Sequence, residues 1–318
     1  MSEPMTIGVD IGGTKVAAGL VDASGEITHK SRVPMITQDS GEAAFACVKA
    51  AIDGIFDQVP DSRAAVSGIG ICSPGPLDPF KGIILNPPNL PCWRNFPLAA
   101  ETQRAFGVPA RVDNDANAAG LAEAIWGAGI GYTNVFFTIV GTGIGTGIVF
   151  DKKIYYGRTG SAAEGGHVTI DYQGPLCGCG KPGCIEAFAS GPNIARRAQA
   201  RLVAGAKSRI LSLAGSVDAV RTEHVGEAFG EGDALARDVL AETAHYLTIW
   251  LGSIVDLLEP DVMVIGGGVA QLMSSFFTSI SANLPAWCIN KRAGEIPLVL
   301  ARYGNDAGIA GAAALLKQ

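Results

Sequence analysis

The stretch Thr6-Ile7-Gly8-Val9-Asp10-Ile11-Gly12-Gly13-Thr14-Lys15-Val16-Ala17-Ala18-Gly19-Leu20-Val21 decides the fold. Short apolar runs flank a polar, glycine-bearing turn, which predicts two buried strands, Thr6–Val9 and Val16–Val21. Gly8-x4-Gly13 followed by Thr14-Lys15 nearly spells a phosphate-binding loop of the strand–loop–helix kind. That motif places Lys before Ser/Thr and continues into a helix, whereas strand-like residues follow here. A hairpin can still cradle phosphate through turn N–H groups and the Thr14 hydroxyl. Asp10 offers hard carboxylate oxygen to a hydrated Mg²⁺. The alternative is a plain glycine hairpin with Asp10 as a turn former.

Working outward, Asp22-Ala23-Ser24-Gly25 turns the chain into a third strand, Ile27–Val33. Ala43–Val59 has helical spacing, with Phe45, Val48, Ile52, Ile55 and Phe56 on one face. Val66–Cys72 is a further buried strand. Hairpins before the crossover separate this order from a simple alternating dinucleotide-binding unit. The pattern then recurs about 130 residues on, as strand Val135–Val140, a turn over Gly141–Gly147 with Thr142, and strand Ile148–Phe150. Two similar α/β lobes around a shared hinged cleft account for the echo. A third glycine turn, Gly266-Gly267-Gly268, ends strand Val262–Ile265. Helices are predicted over Ala116–Trp126, Pro192–Val203, Ala234–Leu258 and Ala307–Lys317, the last with Asp306 as N-cap.

Two polar clusters carry chemistry. Asp113-Asn114-Asp115 precedes a helix, where one of them serves as N-cap and a carboxylate can act as general base. His167-x9-Cys177-x-Cys179-x4-Cys184 matches a tetrahedral Cys₃His zinc site, structural because protein fills every position. A redox Cys-x-Cys pair is the rival. Glu164 and Glu186 flank these ligands, so a metal would fix two carboxylates that could meet sugar hydroxyls, or they are exposed loop acids. Trp93, Asn89 and Asn86 lie in a proline-rich loop that either lines a sugar site or packs. His29, His224 and His245 lack neighbours at ligand spacing.

Composition narrows the class. With 318 residues, 48% hydrophobic and 17% charged, the chain can bury a large core. The net charge of −6 argues against nucleic acid as the main partner. No apolar run approaches the roughly 20 residues that span a bilayer, so no membrane partner is expected. Seven cysteines, three within eight residues, point to reduced thiols plus a metal site, hence cytoplasm. A dehydrogenase is excluded, since no glycine turn opens a helix with an acid about 20 residues on.

Together, Asp10-Ile-Gly-Gly-Thr-Lys15, Asn114-Asp115, Gly141-Thr-Gly143, Glu164-Gly-Gly-His167, Cys177-Gly-Cys-Gly-Lys-Pro-Gly-Cys-Ile-Glu186 and Gly266-Gly-Gly268 resemble the ROK family along essentially the full chain. Ser73-Pro-Gly75-Pro-Leu-Asp78 and Asn86-Pro-Pro-Asn89-Leu-Pro91 are similar to its bacterial glucokinase branch. The resemblance implies an actin-like, ribonuclease-H-like fold. It places residues 1–115 in a smaller lobe joined by the helix at about 305–318, and residues 116–304 in a larger lobe carrying the zinc-binding loop 164–186.

It also implies ATP- and Mg²⁺-dependent phosphorylation of a hexose at O6, glucose first, with N-acetylmannosamine, N-acetylglucosamine, mannose and fructose as alternatives. A non-catalytic sugar-binding regulator is the remaining one. Only nine residues precede Asp10, too few for the DNA-binding domain of the family's repressors. By position, Asp115 corresponds to the base. Asp10, Gly12, Gly13, Thr14 and Lys15 correspond to the first phosphate and Mg²⁺ loop, Gly141, Thr142 and Gly143 to the second, and Gly266, Gly267 and Gly268 to the adenosine side. Gly75, Asn89, Asn114, Asp115, Glu164, His167 and Glu186 correspond to sugar-binding positions. His167 would serve zinc as well, beside Cys177, Cys179 and Cys184. The family tendency is a homodimer. Two departures stand out. The common second loop resembles Ser-Thr-Gly-x-Gly-Gly-Gly, and here Gly141 replaces Ser and Thr146 replaces Gly. Gly165 stands where many glucose-specific members carry Leu or Ile, which predicts a looser loop and a wider sugar choice.

Overall fold

A computed structural model describes residues 4–318. In chain order the elements begin with β1 (Met5–Ile11), β2 (Lys15–Val21), β3 (Ile27–Pro34), α1 (Gly41–Gln58), α2 (Ser62–Ala65), β4 (Val66–Ser73), β5 (Leu77–Asp78) and β6 (Ile83–Ile84). Next come α3 (Leu98–Phe106), β7 (Ala110–Asn114), α4 (Asp115–Trp126), β8 (Asn134–Val140), β9 (Ile144–Phe150) and β10 (Lys153–Ile154). The remainder is α5 (Glu186–Ala189), α6 (Gly191–Val203), α7 (Arg209–Ala214), α8 (Thr222–Gly230), α9 (Ala234–Leu258), β11 (Val262–Gly266), α10 (Gly268–Met273), α11 (Phe277–Asn283), β12 (Leu298–Leu300) and α12 (Ala307–Ala314). Among the described residues, no helix is long and apolar enough to cross a membrane.

The chain divides into two compact units. The first takes residues up to Phe137, Gly147–Ala163 and Arg302–Gln318; the second takes Thr138–Thr146 and Glu164–Ala301. This differs from a division at residue 115, because α4 packs on α12 and stays with the first unit. Helix periodicity shows that α4 exists but not which sheet it covers.

The first unit holds a sheet of order β3-β2-β1-β4-β7. β1 pairs antiparallel with β2 and parallel with β4, so the hairpin precedes a crossover through α1. Ile7, Val9, Ile11, Ile69 and Ile71 point to a core shared with Val48, Ile52 and Ile55 of α1. Alternation turns Gly8 and Gly70 to the opposite face. There α12 lies so close that a Cβ on either would run into its backbone carbonyls, Ile309 O and Ala312 O respectively. These strand glycines are present for helix-to-sheet contact, not for a bend. Asp306 does not cap α12 with its side chain; a 3₁₀ turn, Gly304–Asp306, leads in, and its carboxylate pairs with Lys30 Nζ at 2.6 Å. An ion pair 276 residues apart is outside the reach of a local capping rule.

The second sheet has order β10-β9-β8-β11-β12. β9 begins at Ile144, so its glycine turn is shorter than Gly141–Gly147 and closes with Gly141 N–H on Gly143 O at 2.9 Å. Gly145 and Gly147 are strand residues. In the second unit, α9 starts under the Asp233 side chain, which accepts from Ala236 N at 2.9 Å, and buries Trp250 fully.

Candidate active site

In the first unit, Asp10 sits half-buried at the end of β1, with Cys72 Sγ donating to it at 3.6 Å. Burial raises its pKa; the Cys72 contact and the Lys15 and Arg32 charges oppose that rise. Beyond it the hairpin closes with Gly12 N–H on Lys15 O at 2.9 Å, and Gly13, Thr14 and Lys15 are exposed. Asn89 is brought beside this turn: a Cβ on Gly13 would lie 3.5 Å from Asn89 O. Gly75 is half-buried after β4. Trp93 is core; it is fully buried, stacks on Phe96 at 5.4 Å and donates to Gly41 O.

The three residues at the β7–α4 junction have separate tasks. Asn114 is the N-cap, its Oδ1 accepting from Ala116 N at 2.9 Å and Asn117 N at 3.3 Å. Its acceptor half is therefore committed to the helix, and its NH₂ group is the half that can meet a hydroxyl. Asp113 is buried and accepts from Tyr156 OH at 2.6 Å and Asn117 Nδ2 at 3.2 Å. Tyr156 in turn receives Gln318 Nε2 at 2.8 Å. This buttress was not visible in sequence, because its members are 43 and 162 residues apart.

Asp115 stands at the first turn of α4, with Oδ1 accepting from Ala116 N at 2.8 Å. Its carboxylate touches water, but protein crowds the space beyond, and this loss of surrounding water pushes its pKa up to about 6. The Ala116 N–H lowers it and the neighbouring charge of Asp10 raises it further.

In the second unit, the turn Gly141–Gly143 adjoins a cleft of about 610 Å³ lined by Thr142, Pro192, Gln199, Arg221, Thr222 and Gly268. Gly191 N–H donates to Gly141 O at 2.7 Å. Gly267 adopts φ +92° and packs on Val140 O, which brings the second and third glycine turns together. Gly266 closes β11. Gln199, Arg221 and Thr222 escaped sequence reasoning, since nothing in their local pattern marks a cleft wall.

His167, Cys177, Cys179 and Cys184 converge, with all donor atoms within 4.8 Å of one another. Cys177 Sγ lies 3.6 Å from His167 Nδ1, and Cys179 Sγ lies 3.6 Å from Cys184 Sγ. Bonds of about 2.0–2.3 Å to a tetrahedral ion leave donor atoms roughly 3.5–3.8 Å apart, so the set fits one metal ion. Glu186 leaves this cluster for the glycine turn, Oε1 at 3.6 Å from Cys177 Sγ and Oε2 accepting from Ile144 N at 2.9 Å. Glu164 is exposed, one residue before the 3₁₀ turn Gly165–His167.

The sequence model of the ROK family matches residues 6–318. The chain belongs to the ROK family. ROK relatives resemble it over nearly their whole length. A glucokinase of Halalkalibacterium halodurans is 34% identical, covering all of this chain and 96% of the relative. An N-acetylmannosamine kinase of Escherichia coli O157:H7 is 33% identical, covering 98% of this chain and 97% of the relative. The solved ROK glucokinase of Streptomyces griseus, in complex with glucose and AMPPNP, is 36% identical with TM-score 0.81 and covers 98% of both chains. The two sheets therefore have the actin-like α/β architecture of ROK sugar kinases.

Proposed function

We propose that this ROK chain transfers the γ-phosphoryl group of ATP to the 6-hydroxyl of a hexose, with glucose the preferred sugar. The observation that carries the reading is Asp115, held at the start of α4 with water access and a pKa near 6. Such a carboxylate is ionised at neutral pH and takes a proton better than an ordinary one. The full-length likeness to glucokinases supports both the chemistry and the sugar.

In this reading Asp115 accepts the hydroxyl proton as the oxygen attacks phosphorus. The N–H groups of Gly13 and Thr14 and of Thr142 and Gly143 neutralise phosphate charge without reorganising, while those of Gly12 and Gly141 close the two turns that present them. Lys15 adds positive charge at the first turn, and Gly266, Gly267 and Gly268 border the adenosine. Gly75, Asn89, Asn114, Glu164, His167 and Glu186 orient the sugar by its hydroxyls. Mg²⁺ near Asp10 would supply charge neutralisation to the phosphates. Zinc on His167 Nδ1, Cys177, Cys179 and Cys184 would be structural, holding loop 164–186 in shape. The family resemblance adds a homodimer, and the cysteine cluster suits a reducing compartment such as the cytoplasm.

The test is ATP consumption with Mg²⁺ across hexoses and N-acetylhexosamines. Glucose is expected to give the highest kcat/KM and a 6-phosphate product. Turnover confined to N-acetylmannosamine would transfer the assignment to the second relative's sugar. No turnover with any sugar by zinc-replete, folded protein would overturn the kinase reading in favour of a sugar-binding regulator.

A further inference from the structure

Two of the three positions that depart from the family pattern, Thr146 and Gly165, touch each other. Gly165 N–H donates to Thr146 Oγ1 at 2.8 Å. A Cβ at position 165 would lie 2.8 Å from that oxygen and 3.0 Å from Thr146 Cγ2, so the threonine occupies the space a side chain at 165 would need. Thr146 is buried on β9, and the other side of residue 165 is fixed as well, since the fully buried Trp250 donates Nε1–H to Gly165 O at 3.0 Å. Gly166 completes the fit, packing flush on Ile144 O, where a Cβ would collide. The backbone between Glu164 and His167 is thus held from both sides.

We infer that Thr146 is a positioning residue for segment 164–167, its hydroxyl holding the Gly165 N–H in the space that a side chain at position 165 would take. Gly165 then does not loosen the loop, contrary to what its size alone predicts. Thr146 sets the angle at which Glu164 and His167 reach the sugar, and it does so from the strand that begins at the second glycine turn. The inference rests on the proposed reading of Glu164 and His167 as sugar ligands, while the contact itself is independent of turnover.

The experiment compares Thr146→Val, which keeps shape and removes the acceptor, with Thr146→Ser, which keeps the acceptor. Amide hydrogen exchange at Gly165 and steady-state kinetics are measured on zinc-loaded protein. In Thr146→Val, Gly165 exchange and sugar KM should each rise about tenfold, the effect of one unsatisfied partly buried donor. The nucleotide KM should stay within about twofold, and Thr146→Ser should remain near wild type. Val and wild type sharing both Gly165 exchange and sugar KM would overturn the inference, as would a Ser variant no better than Val. Should Thr146→Val not fold, Gly165→Ala tests the same contact by overpacking; a rise in sugar KM alone supports the inference and an unchanged value overturns it. If wild type phosphorylates no sugar, the kinase reading falls while the exchange comparison still decides whether Thr146 holds Gly165.

Discussion

The two sheets repeat one order, β3-β2-β1-β4-β7 and β10-β9-β8-β11-β12, and each has a glycine turn between its second and third strands. The turns are nonetheless built differently. Gly12–Thr14 is open: Gly13 and Thr14 are exposed. Backbone bonds hold the turn, Gly12 N–H on Lys15 O and Met35 N–H on Thr14 O, and no atom lies nearer than 3.5 Å to a Cβ on Gly12 or Gly13. Gly141–Gly143 is tied down, with Ile144 N–H on Glu186 and a Cβ on Gly143 only 2.7 Å from Glu186 Oε2. The same motif serves once as an open cradle and once as a part locked to the cysteine-bearing loop. A repeated backbone pattern therefore does not imply repeated mechanics; the side chains that dock on it decide.

The largest test of that contrast lies on the open side. Asp115→Asn should lower kcat about a hundredfold or more while sugar KM and zinc content hold, the scale of losing a general base. In wild type, kcat/KM should fall tenfold per unit below pH about 6, because only ionised Asp115 accepts a proton. The stability sign is opposite. A folded pKa above the ordinary 3.8 means that ionisation weakens the fold as pH rises through that window to about 6. The Asn variant should then melt at or above the wild-type temperature at pH 7, and a lower Tm would contradict this.

A smaller, more local effect is expected on the locked side. Cys179→Ser should release metal, measurable by elemental analysis, and raise sugar KM about tenfold or more, since loop ligands are lost with it. Amide exchange should quicken at 141–146 and 164–186 and stay unchanged at 10–16. Quickening at both turns would remove the distinction. The smallest effect sharpens it in the ligand-free protein. Gly12→Ala should leave stability within about 0.5 kcal/mol, as at an uncrowded surface position. Gly143→Ala should lower Tm measurably, because Glu186 must move. Equal melting temperatures would show that Glu186 does not restrain the turn.

What could be read from sequence was what lies close along it. The first hairpin, the cysteine and histidine cluster and a helix cap within Asp113–Asp115 each fit inside a short window, where spacing maps directly onto geometry; that Asn114 is the cap comes from the structure. α9 was legible over its full length, Ala234–Leu258, because a long apolar stripe leaves little choice. α3, α7 and α8 went unread because they are only six to nine residues long, even though Gly107 ends α3 and Ser208 and Gly215 bracket α7. The start of β9 was misplaced because glycines read as turn until one knows what crowds them. Glu186 on Ile144, Tyr156 on Asp113 and Thr146 on Gly165 are side chain–partner pairs 42, 43 and 19 residues apart, and no local rule predicts them.

The contact of Gly8 and Gly70 with α12 has a consequence in time. The face that α12 covers belongs to strands made early, while Gly308 comes 236 residues after Cys72, to which it is joined. At ribosomal rates of roughly 5–20 residues per second, that face waits about 10–50 s for its cover. During this interval the first sheet is a half-finished surface with its closest-packed glycines bare. The nascent chain is then most open to capture by chaperones or by other chains, and synthesis of the α12 segment is what ends that exposure.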